Sequence, residues 1–478
     1  MARRPRAIRA LAGLLLWPAV AAAQPARPVS RAQTDKEFVQ ETRRHLKSMI
    51  ALDTSNPPGN EIEMAHYLEG ELTQAGIPFE VVGSTQNRVS VVARLKGSGA
   101  ARPFLLMCHT DVVPADPGEW ETPPFSPTEK DGYLYGRGAA DIKSLCAVEL
   151  ALLTHFKASG RLLSRDLLFL AQADEEAGGG PRHIDWLIDN HPALLEAEFG
   201  INEGGSLLWE KRRPSELRIE VAQKEYLDLR LSARSQAGHA AVWRADNPVT
   251  AVSRAVSRLA EYRPEARLEP LVRLFLEKQA LKNQAPIRNA IEEVLVAAPG
   301  SELDQAADRL ASLHPEFGAM LRDTFNPTML SAGYKSNVIP SQAEAVVNAR
   351  LLPGRGADDL IRELRALIDD PLIELKAEGL LSSSVAPMPT DSALYQAVEA
   401  AALKAKISEV LPFLAPWTTD SQALRAKGVL VYGIDPPLSE EDGSRVHGAN
   451  ERISLEALDW YALFLRSVLL KVAAPAKS

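Results

Sequence analysis

Cysteine is nearly absent from this chain, with only Cys108 and Cys146 among 478 residues. So low a count excludes a disulfide-framed scaffold, and a chain of this length can bury enough core to do without one. A bridge between the two is not implied by their number. Buried free thiols are the expected state, because Cys commonly serves as a small core hydrophobe. Long apolar runs are missing too. No later stretch reaches the roughly eighteen uninterrupted apolar residues of a membrane helix, so the mature chain is expected to be soluble, with no stable span. Positive charge is in deficit: 54 Lys and Arg face 62 Asp and Glu, a formal net charge of −8. An acidic balance of this kind argues against a nucleic-acid partner. There is no internal repeat and no low-complexity linker.

Basic residues do gather at the start. Arg3, Arg4, Arg6 and Arg9 precede a short apolar core, Leu11 to Val20, and Ala21-Ala22-Ala23 then offers small residues for cleavage. Residues 1–23 therefore read as a secretory signal peptide, which predicts an exported protein, periplasmic or secreted. Loss of those four arginines takes the formal charge from −8 to −12.

Two domains are expected from length. Apolar residues at helical spacing between Asp35 and Ala75 are interrupted by Asn56-Pro57-Pro58-Gly59. Short apolar strands then alternate with helices: Val89–Leu95, Phe104–Cys108, Leu167–Ala171, Phe199–Ile201 and Val429–Tyr432 are the strands. That alternation predicts an α/β sheet covered on both faces. The middle of the chain differs. Residues 226–233 and 343–351 alternate with period two, with helices between and after them, which suggests an α+β unit inserted into the first domain. The predicted layout is residues 24–222 and 387–478 for the α/β domain and 223–386 for the insertion.

Five segments near strand ends carry metal-ligand residue types. They contain His109 with Asp111, Asp141, the pair Glu175-Glu176, Glu203, and His447. Two imidazoles and several carboxylates suit a pair of zinc-like ions, with one carboxylate left to work on water. Asp111, two residues beyond His109, can accept the other ring N–H and so fix the tautomer. Asp141 precedes a helix and can be read either as its N-cap or as a carboxylate shared by two cations. Glu175 and Glu176 are adjacent at a strand end and point to different sides, so one can ligate while the other faces a water.

With these segments in this order, the chain resembles the co-catalytic zinc hydrolases that include aminoacylases, acetylornithine deacetylase, succinyl-diaminopimelate desuccinylase, glutamate carboxypeptidase and carboxypeptidase S. The long insertion leans toward the last. The resemblance implies a zinc-exopeptidase-like domain with a mixed central sheet, and a ferredoxin-like lid that commonly forms a dimer interface. It implies two Zn2+ ions, replaceable by Co2+ or Mn2+, with His109 and Glu203 on one, Glu176 and His447 on the other, and Asp141 bridging. It makes Glu175 the general base, has Asp111 orient His109, and gives Asp141–Ile142 a cis peptide. His239, in Gln236-Ala237-Gly238-His239, would stabilise the oxyanion, often in the partner's site. Asn337 and Arg350 would hold the substrate carboxylate. Asn202, Asn348, Ala240-Ala241 and Thr418-Thr419-Asp420-Ser421 depart from common family residues. The expected activity is hydrolysis of small carboxylate-bearing peptides, as by a dipeptidase or carboxypeptidase. N-acyl-amino-acid hydrolysis is the alternative, and a non-catalytic metal- or peptide-binding protein the rival from another class.

Overall fold

The computed structural model describes residues 34–177, 182–378 and 385–474. Residues 1–23, which the sequence reading takes as a signal peptide, lie outside them. The first part of the chain supplies α1 (Asp35–Ile50), α2 (Glu61–Ala75), β1 (Phe79–Gly83), β2 (Val89–Leu95), β3 (Phe104–His109), β4 (Thr128–Lys130), β5 (Tyr133–Tyr135), α3 (Lys143–Ser159), β6 (Leu167–Gln172), α4 (His183–Asn190), β7 (Phe199–Asn202), β8 (Ser206–Glu210) and β9 (Arg213–Gln223). The inserted stretch holds β10 (Glu225–Arg234), β11 (Gly238–His239), α5 (Pro248–Glu261), α6 (Pro270–Lys282), α7 (Ile287–Val296), α8 (Ser301–Leu313), α9 (Pro315–Ala319), β12 (Thr324–Ala332), β13 (Val338–Ile339), β14 (Gln342–Leu351), α10 (Ala357–Ile368) and β15 (Ile373–Glu378). The chain ends with α11 (Ala393–Lys404), β16 (Glu409–Ala415), α12 (Ser421–Arg425), β17 (Leu430–Gly433), α13 (Glu440–Gly443), β18 (Arg452–Ser454) and α14 (Leu455–Val472).

A nine-stranded mixed sheet runs β1-β2-β6-β3-β7-β17-β9-β16, with β8 paired to β9. Its central strands β3, β6 and β7 are buried at every position and apolar up to their last residue, because both faces are covered. In β3 the side chains divide with period two. Phe104, Leu106 and Cys108 face the core that holds α1, α3 and α14, whereas Leu105 and Met107 face α4 and α12. Strand β6 divides the same way, Phe169 to one core and Leu168 and Leu170 to the other.

Cys108 and Cys146 are not free thiols. Cys108 on β3 faces Cys146 on α3, with Cα atoms 5.3 Å apart and both side chains fully buried, and they form a disulfide. Helix packing on the strand brings the Cα atoms within the separation such a bond needs, about 4.4–6.8 Å. Sequence spacing alone carries no such information.

The inserted stretch splits in two. A four-stranded antiparallel sheet, β12-β14-β10-β15, buries Leu227, Leu229, Leu231, Val347 and Ala349 against α5 and α10. Helices α6–α9 do not join that core. Val272, Phe275, Leu276, Ile291, Leu310 and Phe317 pack instead on Leu411, Phe413 and Leu414 of β16, the edge strand of the large sheet. A helix pattern shows which face is apolar, not which surface will cover it.

Candidate active site

Strands β6, β3, β7 and β17 are parallel neighbours, so their carboxyl ends share one edge of the sheet. That is where open α/β sheets place ligands. His109 ends β3, Glu175 and Glu176 follow β6, and Glu203 follows β7. Asp141 comes from the turn before α3, and His447 from the loop between α13 and β18.

Asp141 stands between the two imidazoles. Its Oδ1 is 3.2 Å from His109 Nε2 and its Oδ2 is 2.9 Å from His447 Nε2. His109 Nε2 is also 3.7 Å from Glu203 Oε2, and His447 Nε2 is 3.2 Å from Glu176 Oε1. Asp141 does not cap α3, whose N-cap is Ile142 without a side-chain bond. The Asp141–Ile142 peptide is cis.

The structure assigns Asp111 differently from the sequence expectation. Its backbone carbonyl, not its carboxylate, lies 2.9 Å from His109 Nδ1; Oδ1 is at 3.6 Å. That contact makes Nδ1 a donor and leaves Nε2 as the nitrogen facing Asp141. The Asp111 carboxylate accepts instead from Glu175 N (3.1 Å), Glu176 N (2.9 Å) and Asn56 Nδ2 (2.8 Å). One residue thus fixes both the imidazole and the turn carrying the two glutamates.

Electrostatically the cluster is short of positive charge. Burial opposes protonation of His109, but Glu203, Asp111 and Asp141 outweigh it and lift its pKa well above the usual value. Asp141 and Glu176 raise His447 to about 10. Burial, joined by Glu203, pushes Glu175 well above the ordinary carboxylate range. Glu176 Oε1 is buried and accepts no hydrogen bond. Ligand atoms of His109, Asp141 and Glu176 lie within 4.8 Å of one another, as do those of His109, Glu175 and Glu203. Imidazole nitrogens and carboxylate oxygens converging on uncompensated negative charge are a donor set that fits divalent cations of the zinc type.

The site opens into a cavity of about 980 Å³ lined by Asp141, Glu175, Glu176, Glu203, His447 and Arg350. Arg350 lies over the Tyr226 ring at 4.7 Å and donates to Asn348 Oδ1 and Thr418 Oγ1, each at 3.0 Å. Among the described residues no carboxylate lies within ion-pair distance of it. Asn348, where an Asp is common in the family the chain resembles, holds the guanidinium without neutralising it and passes its own N–H to Asp228 at 3.0 Å. Asn202 donates to Ser421 Oγ at 3.0 Å.

His239 and Asn337 are not brought to this cavity. His239 is exposed on the β11–β13 ribbon, where its Nδ1 accepts from Ala241 N at 3.0 Å. Asn337, also exposed, meets the same turn through its carbonyl, which accepts from Ala240 N at 3.1 Å.

Sequence reasoning overlooked Glu451. It is fully buried and accepts from Arg137 Nη1 (2.6 Å), Gly138 N (3.2 Å), Ala140 N (2.7 Å) and Asp141 N (3.0 Å). Arg137 also donates to the His447 carbonyl at 3.2 Å. Glu451 therefore ties the Asp141 turn to the loop bearing His447. Its place four residues after His447 was the one available signal, and an acid there reads equally well as a surface residue.

The fold and this constellation define a metallohydrolase of peptide and amide bonds. The chain belongs to peptidase family M20/M25/M40, whose family model matches residues 105–471. It is 29% identical over 383 residues to the human N-fatty-acyl-amino acid synthase/hydrolase PM20D1, covering 76% of this chain and 73% of that protein. It is 27% identical over 382 residues to the "Probable carboxypeptidase S-like 2" of Dictyostelium discoideum, covering 77% and 71%. Among solved structures, the M20 family metallo-carboxypeptidase Sso-CP2 from Sulfolobus solfataricus superposes with a TM-score of 0.69 at 20% identity, over 90% of this chain and 99% of that one.

Proposed function

We propose that this chain is an exported, dizinc hydrolase that cleaves the amide bond of small substrates bearing a free carboxylate beside that bond. N-acyl amino acids are the favoured class, since the human relative is named for them; dipeptides share the same recognition. The observation that carries the reading is the placement of Asp141 between His109 and His447, with Glu203 and Glu176 alongside and Glu175 lining the cavity. His109 and Glu203 would hold one ion, Glu176 and His447 the other, and Asp141 one through each oxygen. Bound ions of this kind lower the pKa of water toward about 7 and polarise a carbonyl.

The chain's own residues then divide the work. Glu175 takes the proton of the attacking water and delivers it to the departing amine as the C–N bond breaks. Glu175 lines the cavity beside the proposed ligands, where such a water would sit. Arg350 presents a planar fork to the substrate carboxylate. His239, exposed on the lid, would serve the oxyanion of a second copy's site. The exposed Met329 and Leu330 on edge strand β12 support such a lid-to-lid dimer. Export is supported by the N-terminal signal and by the buried disulfide, a bond that persists in oxidising compartments.

The test is Glu175→Gln, with turnover and metal content measured on the same preparation. The expected result is loss of at least about a thousandfold in kcat, in line with removal of a proton-transfer group, with two metals per chain retained. Near-wild-type hydrolysis would remove Glu175 from this role.

A further inference from the structure

The segment Asn56-Pro57-Pro58-Gly59, which interrupts the helical run near the start of the chain, does not line the cavity. It is built around Arg88 instead, the residue just before β2. Arg88 Nη2 donates to Asn56 Oδ1 at 2.8 Å and to the Pro58 carbonyl at 3.1 Å. Gly59 has a φ of +87°, and a Cβ on it would stand 3.2 Å from Arg88 Cζ and 3.0 Å from Glu61 Oε2. Glycine meets both demands, the left-handed backbone and the close approach. The loop is a seat fitted to one guanidinium.

That guanidinium holds Asp174. In the antiparallel β2–β6 ladder Val91 stands opposite Ala171, and the same register carried three residues further sets Arg88 opposite Asp174. The two side chains form an ion pair. Asn56 Nδ2 donates to Asp174 Oδ1 at 3.1 Å, and Glu61, fully buried at the start of α2, accepts from Asp174 N at 3.1 Å. Asp174 needs this support. Its φ is +70°, a left-handed conformation that crowds the Cβ of an L-residue and persists where neighbours over-determine it. Glu175 and Glu176 come next in the chain. Asp111 holds their N–H groups, but the direction in which the chain enters their turn is set one residue earlier.

We infer that Arg88, seated in the 56–59 loop, is a positioning residue for Glu175: it keeps Asp174 left-handed, so that Glu175 is presented to the cavity beside the metal ligands. This rests on the reading of Glu175 as the proton carrier. Arg350, assigned to the substrate carboxylate, has other partners, Tyr226, Asn348 and Thr418. Loss of Arg88 should therefore slow the chemical step and spare substrate affinity. The same two strands supply a control. Arg94 on β2 pairs with Asp166 at 2.7 Å, at the other end of the β2–β6 ladder. It is the same kind of ion pair, on the sheet edge away from the ligands.

The experiment measures kcat and KM per zinc-loaded chain for wild type, Arg88→Ala, Asp174→Ala, the double variant and Arg94→Ala. Amide hydrogen exchange is followed by mass spectrometry over residues 172–177 of the same full-length proteins, with and without zinc. Small displacements of a catalytic group cost up to about a hundredfold, so kcat should fall roughly ten- to a hundredfold in Arg88→Ala and in Asp174→Ala, with KM within about twofold of wild type. The double variant should be no slower than the slower single one, because the two residues act through one pair. Exchange of the Glu175 and Glu176 amides should quicken at least about tenfold in all three and stay at the wild-type rate in Arg94→Ala. Arg88→Lys keeps the charge without the fork; it should fall between wild type and Arg88→Ala, and it carries the test if Arg88→Ala does not fold. Wild-type kcat in Arg88→Ala, losses that multiply in the double variant, or an equal loss in Arg94→Ala would overturn the proposal. If wild type hydrolyses no amide, the proton-carrier reading fails, and quickened exchange in Arg88→Ala still upholds the positioning. Unchanged exchange there overturns the positioning alone.

Discussion

Replacement of Glu451 by Gln should loosen the metal site while leaving every proposed ligand in the chain. The carboxylate divides its work between two oxygens: Oε2 serves Arg137 and Gly138, and Oε1 serves Ala140 and Asp141. Gln has the same shape but only one acceptor oxygen. Whichever way the amide turns, its NH2 group faces two N–H donors in a site with no solvent exposure. The Arg137 guanidinium also loses its anionic partner at 2.6 Å. Breaking a buried ion pair from one side costs about 3–5 kcal/mol, and each orphaned donor about 1–3 kcal/mol. The turn can escape part of that cost by moving, and movement displaces Asp141. Changes just outside a ligand shell typically lower metal affinity by about 10–100-fold. The assay is zinc retained per chain across a graded chelator series, with circular dichroism to confirm folding. A chelator midpoint shifted by about one to two decades is expected, with activity recovering at saturating zinc. A folded Glu451→Gln variant that keeps wild-type zinc affinity and unfolding midpoint would refute the coupling between this clamp and Asp141.

Arg350→Lys should raise KM for carboxylate-bearing substrates by roughly 10–100-fold, the worth of a charge-assisted fork exchanged for a point charge. An equal effect on the carboxamide analogue would count against carboxylate recognition. Glu149, fully buried on α3, has its pKa pushed by burial well above 4.5 against a smaller opposing contact with the Met107 backbone. The folded state therefore keeps a proton that the unfolded state releases, and stability falls by up to about 1.4 kcal/mol per pH unit from the unfolded value upward. Glu149→Gln should gain on wild type as pH rises above the unfolded carboxyl value in urea unfolding, and parallel pH profiles would refute this. Mixing inactive His239→Ala with inactive Glu175→Ala subunits should restore activity if His239 serves the partner's site. No recovery after verified subunit exchange would place its action elsewhere.

What could be seen in the sequence follows from how local each signal is. The runs at 104–108, 167–171 and 199–201 are apolar at every position, and each is a central strand within a residue of its expected ends. The ligand types sit at those strand ends, so the edge on which they meet could be anticipated. Three features were not legible, two of them because they depend on a partner distant in sequence. Strand β12 was not singled out, since Pro327 and a long exposed stretch hide the alternation of an edge strand. The seat of α6–α9 on β16 joins segments about a hundred residues apart. The Asp111 carboxylate bonds the turn after β6 rather than the nearby imidazole, a choice set by how β3 and β6 align.

The buried disulfide has a consequence for the life history of the enzyme. Cys108 directly precedes His109 in β3, and Cys146 lies one turn into the helix that follows Asp141. Cross-linking residues 38 apart in sequence removes roughly 4 kcal/mol of chain entropy from the unfolded state. Neither side chain is exposed in the folded protein, so a reducing thiol has no line of approach to either sulfur. The bond is accessible only before β3 and α3 close together. A chain that closes before oxidation is locked as a dithiol, and one that oxidises first is locked as a disulfide. The compartment in which folding occurs is thereby recorded beneath the metal site for as long as the protein stays folded.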